Sequence, residues 1–258
     1  MSLRLLLPPS VGSARARARA ELLDQSLRAD LAETVTIDVA DGYADLGDRA
    51  ERGDADLVWM PPTVCARLEP QLRGVFKCVR QGRTSYCSAI VVPRGSLSSL
   101  SELAGKRAAW VDRLSVGGYL LAHAELRARG LANGLAEQRF CGSYPAALDV
   151  LLGGEADFAA VTVRDASAMA LREALAAFGG KVAADGLEGI HVTRDSPNDA
   201  IGLTQALDPR RADRIARRVF EQKGARARAA LCLALDAEGF VRASPDEYAD
   251  LRRLIAHE

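Results

Sequence analysis

The stretch Asp112-Arg113-Leu114-Ser115-Val116-Gly117-Gly118-Tyr119 lies between a short apolar strand, predicted over 107–111, and a helical pattern over 118–129. A serine- and glycine-rich turn of this kind leaves main-chain N–H groups unpaired beside the positive end of a helix dipole. Such a turn can hold an anion. It can equally do no more than cap the helix, and the residues of the turn alone leave both interpretations open.

Strand and helix patterns alternate on both sides of this turn. Apolar and β-branched runs predict strands over 3–7, 35–39, 57–60, 75–80, 86–92, 107–111, 138–140, 158–161 and 190–192. Helical spacing predicts helices over 14–31, 43–52, 118–129, 145–152 and 165–178, and a helical tail from Pro209 with a break at Gly239. No internal repeat or low-complexity linker is visible. The alternation predicts an α/β fold with mixed, mostly parallel sheets covered by helices.

The composition excludes several classes of partner. The chain has 258 residues, and Lys+Arg and Asp+Glu both number 34, so no net charge attracts nucleic acid. Arginines cluster over 15–19 and 210–218, but alanines, leucines and acids are interleaved with them, which is typical of solvated helix faces. No apolar run approaches the roughly 18 residues that cross a bilayer, so membrane insertion is not expected.

The amino terminus shows no secretory signal, since the apolar run over 3–7 is too short and leads into Pro8-Pro9. A periplasmic location is expected if the amino terminus has been trimmed. A cytoplasmic location is expected if Met1 is the native start. The sequence leaves both alternatives open.

None of the five cysteines has the spacing of a metal site, and neither a metal nor another cofactor is expected. Cys78 and Cys87 flank Gln81–Thr84, which is predicted to be a hairpin turn between the strands over 75–80 and 86–92. Their Cα atoms are expected to lie within about 7 Å of each other across the hairpin. Reduced neighbours and a disulfide both fit this geometry.

Catalytic motifs are absent from the sequence. The histidines, His123, His191 and His257, are scattered, and no P-loop, H-E-x-x-H or G-x-S-x-G pattern occurs. His123 is expected to pack within the fold rather than to act as a catalyst. The chain is therefore not expected to be an enzyme.

Eight short motifs occur in the order in which one protein family carries them. They are the segments 56–62 (DLVWMPP), 86–92 (YCSAIVV), 100–107 (LSELAGKR), 112–119 (DRLSVGGY), 140–144 (FCGSY), 153–157 (GGEAD), 196–199 (SPND) and the terminal 239–241 (GFV) with Asp246 and Tyr248. Through them the chain resembles, nearly end to end, the phosphonate-type (PhnD-like) substrate-binding proteins of ABC transporters, which have the type II periplasmic-binding-protein fold.

The resemblance implies a chain of two α/β lobes joined by two crossover strands. Lobe one is expected to comprise 1–88 plus 196–258, and lobe two 89–195, with the ligand in the cleft between them. The hinge is expected to include segments near 88–92 and 193–198. The protein is expected to be a monomer.

The resemblance also implies a set of ligand-binding residues. They are Tyr43, Tyr86, Ser115, Val116, Gly117, Gly118, Tyr119, Tyr144, Thr162, Arg164 and Asp199. A small anion is expected against the N–H groups of 115–119. Where the family has three hydroxyl residues, this chain has Ser115-Val116-Gly117, so two side-chain donors are missing and weaker phosphonate binding, or a different anion, is expected.

Two further departures concern the rest of the site. Tyr144 replaces the family histidine. Arg164 stands where amine-binding members carry an acid, although an offset of one residue would place Asp165 there instead. An arginine facing the cleft would favour a second carboxylate or phosphate group, whereas a surface arginine at a helix start would have no part in binding.

The expected function is that of a solute-binding protein that captures a small anionic ligand, phosphonate-like or another oxyanion or carboxylate. It would serve the permease of an ABC transporter or act as a sensor. The alternative is a cytoplasmic enzyme on the same fold, of the thiamine-precursor or menaquinone-pathway type.

Overall fold

Two separate sheets organise the chain in a computed structural model, which describes residues 2–8, 23–222 and 224–256. The strands, in chain order, are β1 Ser2–Leu7, β2 Thr34–Val39, β3 Leu57–Met60, β4 Gly74–Val79, β5 Ser85–Pro93, β6 Arg107–Trp110, β7 Glu137–Phe140, β8 Phe158–Val163, β9 Leu187–Val192, β10 Ser196–Pro197, β11 Ala200–Leu203 and β12 Gly239–Arg242. The predicted strands are therefore present, each within a few residues of its expected bounds.

Helices lie between most of these strands. They are α1 over 23–31, α2 Tyr43–Glu51, α3 Pro62–Leu68, α4 Leu121–Ala128, α5 Tyr144–Leu152, α6 Ala168–Gly186, α7 Pro209–Ile215, α8 Arg226–Leu235 and α9 Ala249–Ile255. A wider π-helical turn, Val116–Leu120, leads into α4, and another, Ala216–Glu221, follows α7. The predicted helix over 14–31 lies partly outside the described residues, as does the arginine cluster over 15–19.

The chain divides into two compact units. The first comprises the residues up to Thr84 together with Pro197–Arg253, and the second comprises Ser85–Ser196 with the residues from Leu254. The chain thus passes between the units at 84–85, at 196–197 and again at 253–254. The first passage comes before the predicted segment 88–92, which instead lies inside β5, a strand bonded on both sides.

The first unit is built on the sheet β12-β4-β11-β3-β1-β2. Its core is formed by the buried leucines of β1, which face the leucine stripe Leu23, Leu27 and Leu31 of α1 and the apolar faces of α7 and α8. The 3.6-residue period of the helix places those three leucines on one face. Phe76 and Phe220 stack at 4.2 Å between ring centroids in the same core.

The second unit is built on the sheet β10-β5-β8-β6-β7, and β9 also pairs with β5. The strands β5 and β8 are almost entirely buried because α5 and α6 cover them. Strands covered in this way read as continuous apolar runs, which is why they were visible in the sequence.

Both sheets are mixed, as expected, but parallel pairing does not dominate. The pairs β1–β2, β1–β3, β6–β7 and β6–β8 are parallel, whereas β11 is antiparallel to β3 and β4, β12 to β4, and β5 to β8 and β9. The expectation of mostly parallel sheets is therefore wrong. The chain leaves the first sheet after β4 and returns to it from the second unit, and the returning strand β11 is antiparallel to its neighbours β3 and β4.

The predicted hairpin between β4 and β5 is also wrong. A tight turn does form, with reciprocal main-chain hydrogen bonds of 2.9 Å between Arg80 and Arg83 and positive φ at Gln81 (49°) and Gly82 (70°). Pairing stops at that single bridge, because the chain then enters the second unit. Cys78 pairs with Phe240 in the first sheet and Cys87 with Val163 in the second, so the two free thiols do not face each other.

A similar Arg–Asp arrangement occurs once in each unit. Asp56 follows Gly-Asp-Ala and accepts from the main-chain N–H (2.8 Å) and the guanidinium (3.0 Å) of Arg4. Asp157 follows Gly-Glu-Ala and accepts from the same two groups of Arg107, at 2.8 and 2.9 Å. In each unit the Asp stands just before a strand and the Arg lies on the parallel neighbour of that strand.

Candidate ligand site

The turn at Ser115 forms the start of a helix with an unusually wide first turn. The N–H of Leu120 donates to the carbonyl of Ser115 at 2.9 Å, a bond between residues five apart. The Ser115 hydroxyl oxygen accepts the N–H of Gly118 at 3.1 Å and so caps the helix. Wide π-helical turns of this kind are frequent at functional sites.

Two of the main-chain N–H groups of this turn are occupied. The N–H of Ser115 donates to the carbonyl of Asp112 at 3.0 Å, and that of Gly118 to Ser115. The N–H groups of Val116 and Gly117, at the first two helical positions, meet no acceptor among the described residues. Fewer N–H groups over 115–119 are therefore available to an anion than predicted. Those of Val116 and Gly117 are the available ones.

Gly117 lies against side chains of two other elements. A Cβ atom on Gly117 would stand 2.9 Å from Thr162 Cβ, 3.0 Å from Tyr144 Oη and 3.2 Å from Thr162 Oγ1. The Gly117 carbonyl accepts the hydroxyl of Ser88, which is fully buried, at 2.6 Å. The structure thus brings Ser115, Gly117, Tyr144 and Thr162 together, with Ser88 holding the turn to β5.

Gly118 has a structural reason to be glycine. A Cβ atom there would stand 2.4 Å from Val111 Cγ2 and 2.8 Å from the Ser115 hydroxyl, which no side chain can accept without movement. Val116, next to it, is buried. Gly118 therefore shapes the turn, and its N–H group serves the cap.

The side chain of Tyr119, whose N–H group belongs to the predicted turn, lies in the core. The side chain is 4% exposed, and its ring stacks on His123 at 4.8 Å and meets the edges of Trp110 and Phe140 at 5.4 and 5.2 Å. A buried aromatic cluster of this kind stabilises the unit. His123 packs in the same cluster, as expected.

Tyr144 and Tyr86 are half-buried in the second unit. Tyr144 is the first residue of α5, its ring stacks on Phe178 at 4.4 Å, and its hydroxyl points at Gly117. The packing of the ring therefore fixes where the hydroxyl lies. Tyr86 stands on β5, two residues before Ser88 and on the same face of that strand.

Arg164 follows β8 and is committed to two carboxylates. Its guanidinium pairs with Asp165 at 3.3 Å and with Glu173 of α6. Asp165 in turn accepts the N–H of Ser167 at 2.9 Å, and the Ser167 hydrogen bonds lower the pKa of Asp165. The positive charge of Arg164 is thus already balanced, which is the arrangement expected of a residue that ties a loop to a helix.

Tyr43 and Asp199 belong to the first unit. Tyr43 is the half-buried first residue of α2. The carboxylate of Asp199 accepts the indole N–H of Trp59 at 2.5 Å and pairs with the guanidinium of Arg80. Burial alone would lower the pKa of Arg80, but the hydrogen bonds and charge of Asp199 outweigh it and raise that pKa.

Arg80 and Trp59 were not predicted from the sequence. Arg80 also donates to the carbonyls of Leu235 (2.8 Å) and Asp236 (3.0 Å), where α8 ends with Asp236 in the left-handed conformation. Ser88 was missed as well, because a serine inside an apolar strand carries no spacing signal. Asp199 is thus held by a network rather than by the turn that its Ser-Pro-Asn-Asp sequence favours.

No group of three or more His, Cys, Asp or Glu residues that could hold a metal occurs within 2–8, 23–222 and 224–256. Over the same residues, no helix is long and apolar enough to cross a membrane. The groups gathered at Gly117 are main-chain N–H groups and neutral hydroxyls. Such groups bind oxyanions through hydrogen bonds rather than through a cation.

The family model of the periplasmic substrate-binding proteins of phosphonate ABC transporters matches residues 5–248. The chain belongs to this family. Members of this phosphonate-binding family are binding proteins of transporters, not enzymes, so the alternative of a biosynthetic enzyme is not supported. No curated protein matches the sequence.

Solved structures show the same fold for this family member. XAC2383 from Xanthomonas citri, bound to ATP, is 20% identical with a TM-score of 0.79, and 99% of this chain and 96% of that chain are covered. PhnD1 from Prochlorococcus marinus, in complex with methylphosphonate, is 17% identical with a TM-score of 0.70. The match covers 99% of this chain and 97% of that chain. A binding-protein component of a phosphonate transporter from Pseudomonas aeruginosa, PA3383, is 15% identical with a TM-score of 0.69. The match covers 98% of this chain and 85% of that chain.

Proposed function

We propose that the chain binds a small organic phosphorus oxyanion, a phosphonate or a phosphate ester, through the turn at Ser115. The observation that carries the proposal is the pair of open N–H groups on Val116 and Gly117 at the start of the helix. The helix dipole adds its positive end at the same place. Together they favour a negatively charged oxygen over a cationic group.

The Ser115 hydroxyl is oriented to donate to such an anion. Its oxygen already accepts the N–H of Gly118, so the remaining hydrogen is available to a third partner. A hydroxyl that accepts one bond becomes a stronger donor in the next. Ser115 therefore acts in two ways, as cap of the helix and as donor to the ligand.

Two structurally similar proteins support a phosphorus oxyanion over other anions. One was solved with methylphosphonate and one with ATP, and both ligands present tetrahedral phosphorus with terminal oxygens. Arg164, which would have recognised a second anionic group, is engaged by Asp165 and Glu173. A ligand with one anionic group is thus favoured.

The same proposal assigns the protein to delivery of this ligand to an ABC transporter in the periplasm, the location of its family. It also retains Tyr43, Tyr86 and Asp199 among the proposed ligand-binding residues.

The anion site is tested with Ser115→Asp. Aspartate is as good a helix cap as serine, so the fold is retained, but its charge opposes an anion at the turn. Like charges at close range cost several kcal/mol, so binding should weaken at least about a hundredfold. The matched control is Ser167→Asp, since Ser167 caps α6 in the same unit by accepting the N–H of Ala170.

Titration calorimetry with methylphosphonate, phenyl phosphate, methanesulfonate, acetate and methylammonium gives the readout. Wild type and Ser167→Asp should bind a phosphorus oxyanion equally, and Ser115→Asp should not. Binding of methylammonium alone, or of a phosphorus oxyanion with the same affinity in Ser115→Asp, would overturn the proposal.

A further inference from the structure

Two hydroxyl residues face the turn from neighbouring strands. Ser88 of β5 and Thr162 of β8 are direct partners in an antiparallel ladder, and directly opposed residues project from the same face of a sheet. Ser88 is fully buried and donates to the Gly117 carbonyl. Thr162 is half-buried beside the Gly117 Cα. The peptide of Gly117 thus rests on this pair.

Thr162 occupies the space that a side chain at position 117 would need. A Cβ on Gly117 would meet Thr162 Cβ at 2.9 Å, a separation that Cβ atoms do not adopt without a shift of the main chain. The hydroxyl oxygens of Tyr144 and Thr162 lie 3.0 and 3.2 Å from where a serine at 117 would place its Cβ.

We propose that Thr162, with Tyr144, determines ligand specificity by supplying the hydroxyl donors that the turn lacks at Val116 and Gly117. The inference rests on the proposed function of the turn. Thr162 Oγ1 makes no hydrogen bond to another residue in the part of the chain that the structure describes. The ring of Tyr144 is fixed on Phe178, so its hydroxyl is held in place before the ligand arrives.

The donors then come from three elements instead of one. Two N–H groups and Ser115 belong to the start of the helix, Tyr144 to α5 and Thr162 to β8. Donors that approach from three sides match the three terminal oxygens of a tetrahedral phosphonate or phosphate monoester better than the two coplanar oxygens of a carboxylate. The hydroxyls can also accept the hydrogen of a monoprotonated phosphonate, which an N–H group cannot do.

The first test removes the hydroxyls without changing shape. Thr162→Val retains the branched Cβ, and Tyr144→Phe retains the ring stacked on Phe178. A hydrogen bond to a charged group contributes substantially to the binding free energy. The loss of either hydroxyl should therefore weaken methylphosphonate binding about ten- to a hundredfold. Thr162→Ser, which retains the hydroxyl, should stay within about threefold of wild type. Thr34→Val, on an exposed position of β2, is the matched control.

The second test adds a hydroxyl to the turn. If no side chain lay against Gly117, the hydroxyl added by Gly117→Ser would donate a hydrogen bond to the anion and tighten binding. Here Thr162 fills the space, so Gly117→Ser should weaken methylphosphonate binding more than about tenfold. Melting temperatures of all variants show whether a loss reflects unfolding, and affinities are compared among the variants that remain folded at the titration temperature.

The results separate this inference from the proposed function. If wild type binds no phosphorus oxyanion, or Ser115→Asp binds as wild type does, the proposed function fails and the inference with it. If Ser115→Asp abolishes binding while Thr162→Val and Tyr144→Phe bind as wild type does, the turn is the site and the inference alone is overturned. Tighter binding by Gly117→Ser would overturn it too.

Discussion

The carboxylate of Asp56, almost fully buried, binds both the main-chain N–H and the guanidinium of Arg4, at 2.8 and 3.0 Å. Asp56→Asn retains an oxygen for one of these groups but leaves the guanidinium without its anion. We expect a loss of about 1–3 kcal/mol in the free energy of unfolding, the usual cost of a broken charged hydrogen bond. Chemical denaturation measures it.

The second unit contains the matched comparison. Asp157→Asn breaks the same bonds to Arg107, but the Asp157 side chain is 30% exposed, whereas that of Asp56 is 3% exposed. Water can hydrate the groups that lose a partner, so the loss in the free energy of unfolding should be smaller than for Asp56→Asn. Equal or inverted losses would contradict burial as the cause.

A pH dependence follows from Asp157. The Arg107 hydrogen bond lowers the pKa of Asp157 in the folded protein. Its stabilisation is therefore fully present above the unfolded pKa of roughly 4 and disappears as pH falls through the lower folded pKa. The difference in melting temperature between wild type and Asp157→Asn should be constant near pH 7 and shrink towards zero as the pH falls below the folded pKa of Asp157. A difference that grows on acidification would be inconsistent with this sign.

Gly118→Ala should destabilise the second unit. The new methyl group would lie 2.4 Å from Val111 Cγ2, and overpacking of this kind costs about 1–3 kcal/mol. Gly134→Ala is the control, because nothing lies within 4 Å of a Cβ there and its φ is not positive. Thermal melting of the two variants should separate them clearly, and a stable Gly118→Ala would show that the turn can move away from Val111.

Thiol reactivity should divide the cysteines by burial. Cys65, Cys78 and Cys87 are buried, and burial raises the pKa of the Cys65 and Cys78 thiols, so the nucleophilic thiolate is scarce. Cys141 and Cys232 are only partly buried. Ellman's reagent should titrate these two in the native protein and all five in denaturant. Fewer than five in denaturant, without reductant, would reveal a disulfide.

Much of the fold could be predicted from the sequence because its elements are locally encoded. The apolar strands and the leucine stripe of α1 follow from side-chain period alone. Pairing between strands was harder, since the turn at Gln81–Gly82 has hairpin chemistry yet the chain leaves the sheet there. The return of β11 depends on a connection of more than a hundred residues, which no local pattern records.

The candidate site was predicted unevenly for a similar reason. Ser115 and the glycines form a contiguous motif and were found, and the resemblance supplied Tyr144 and Thr162. Tyr119 lies in the same motif, but its side chain points into the core, because successive residues of a helical turn project in different directions around its axis. Ser88 and Arg80 act through partners far along the chain, so nothing near them in sequence marks their role.

On the proposed role of Thr162, the placement of Ser88 and Thr162 on paired strands separates the residues that present the ligand from the residue that selects it. The turn can conserve its main-chain donors while a single strand residue changes what they hold, since the strands are rigid and buried beneath it. Ligand preference can then diverge between relatives whose helix-start motifs are identical. Classification of such proteins by that motif alone would group chains that carry different solutes, and the residue opposite Ser88 would sort them.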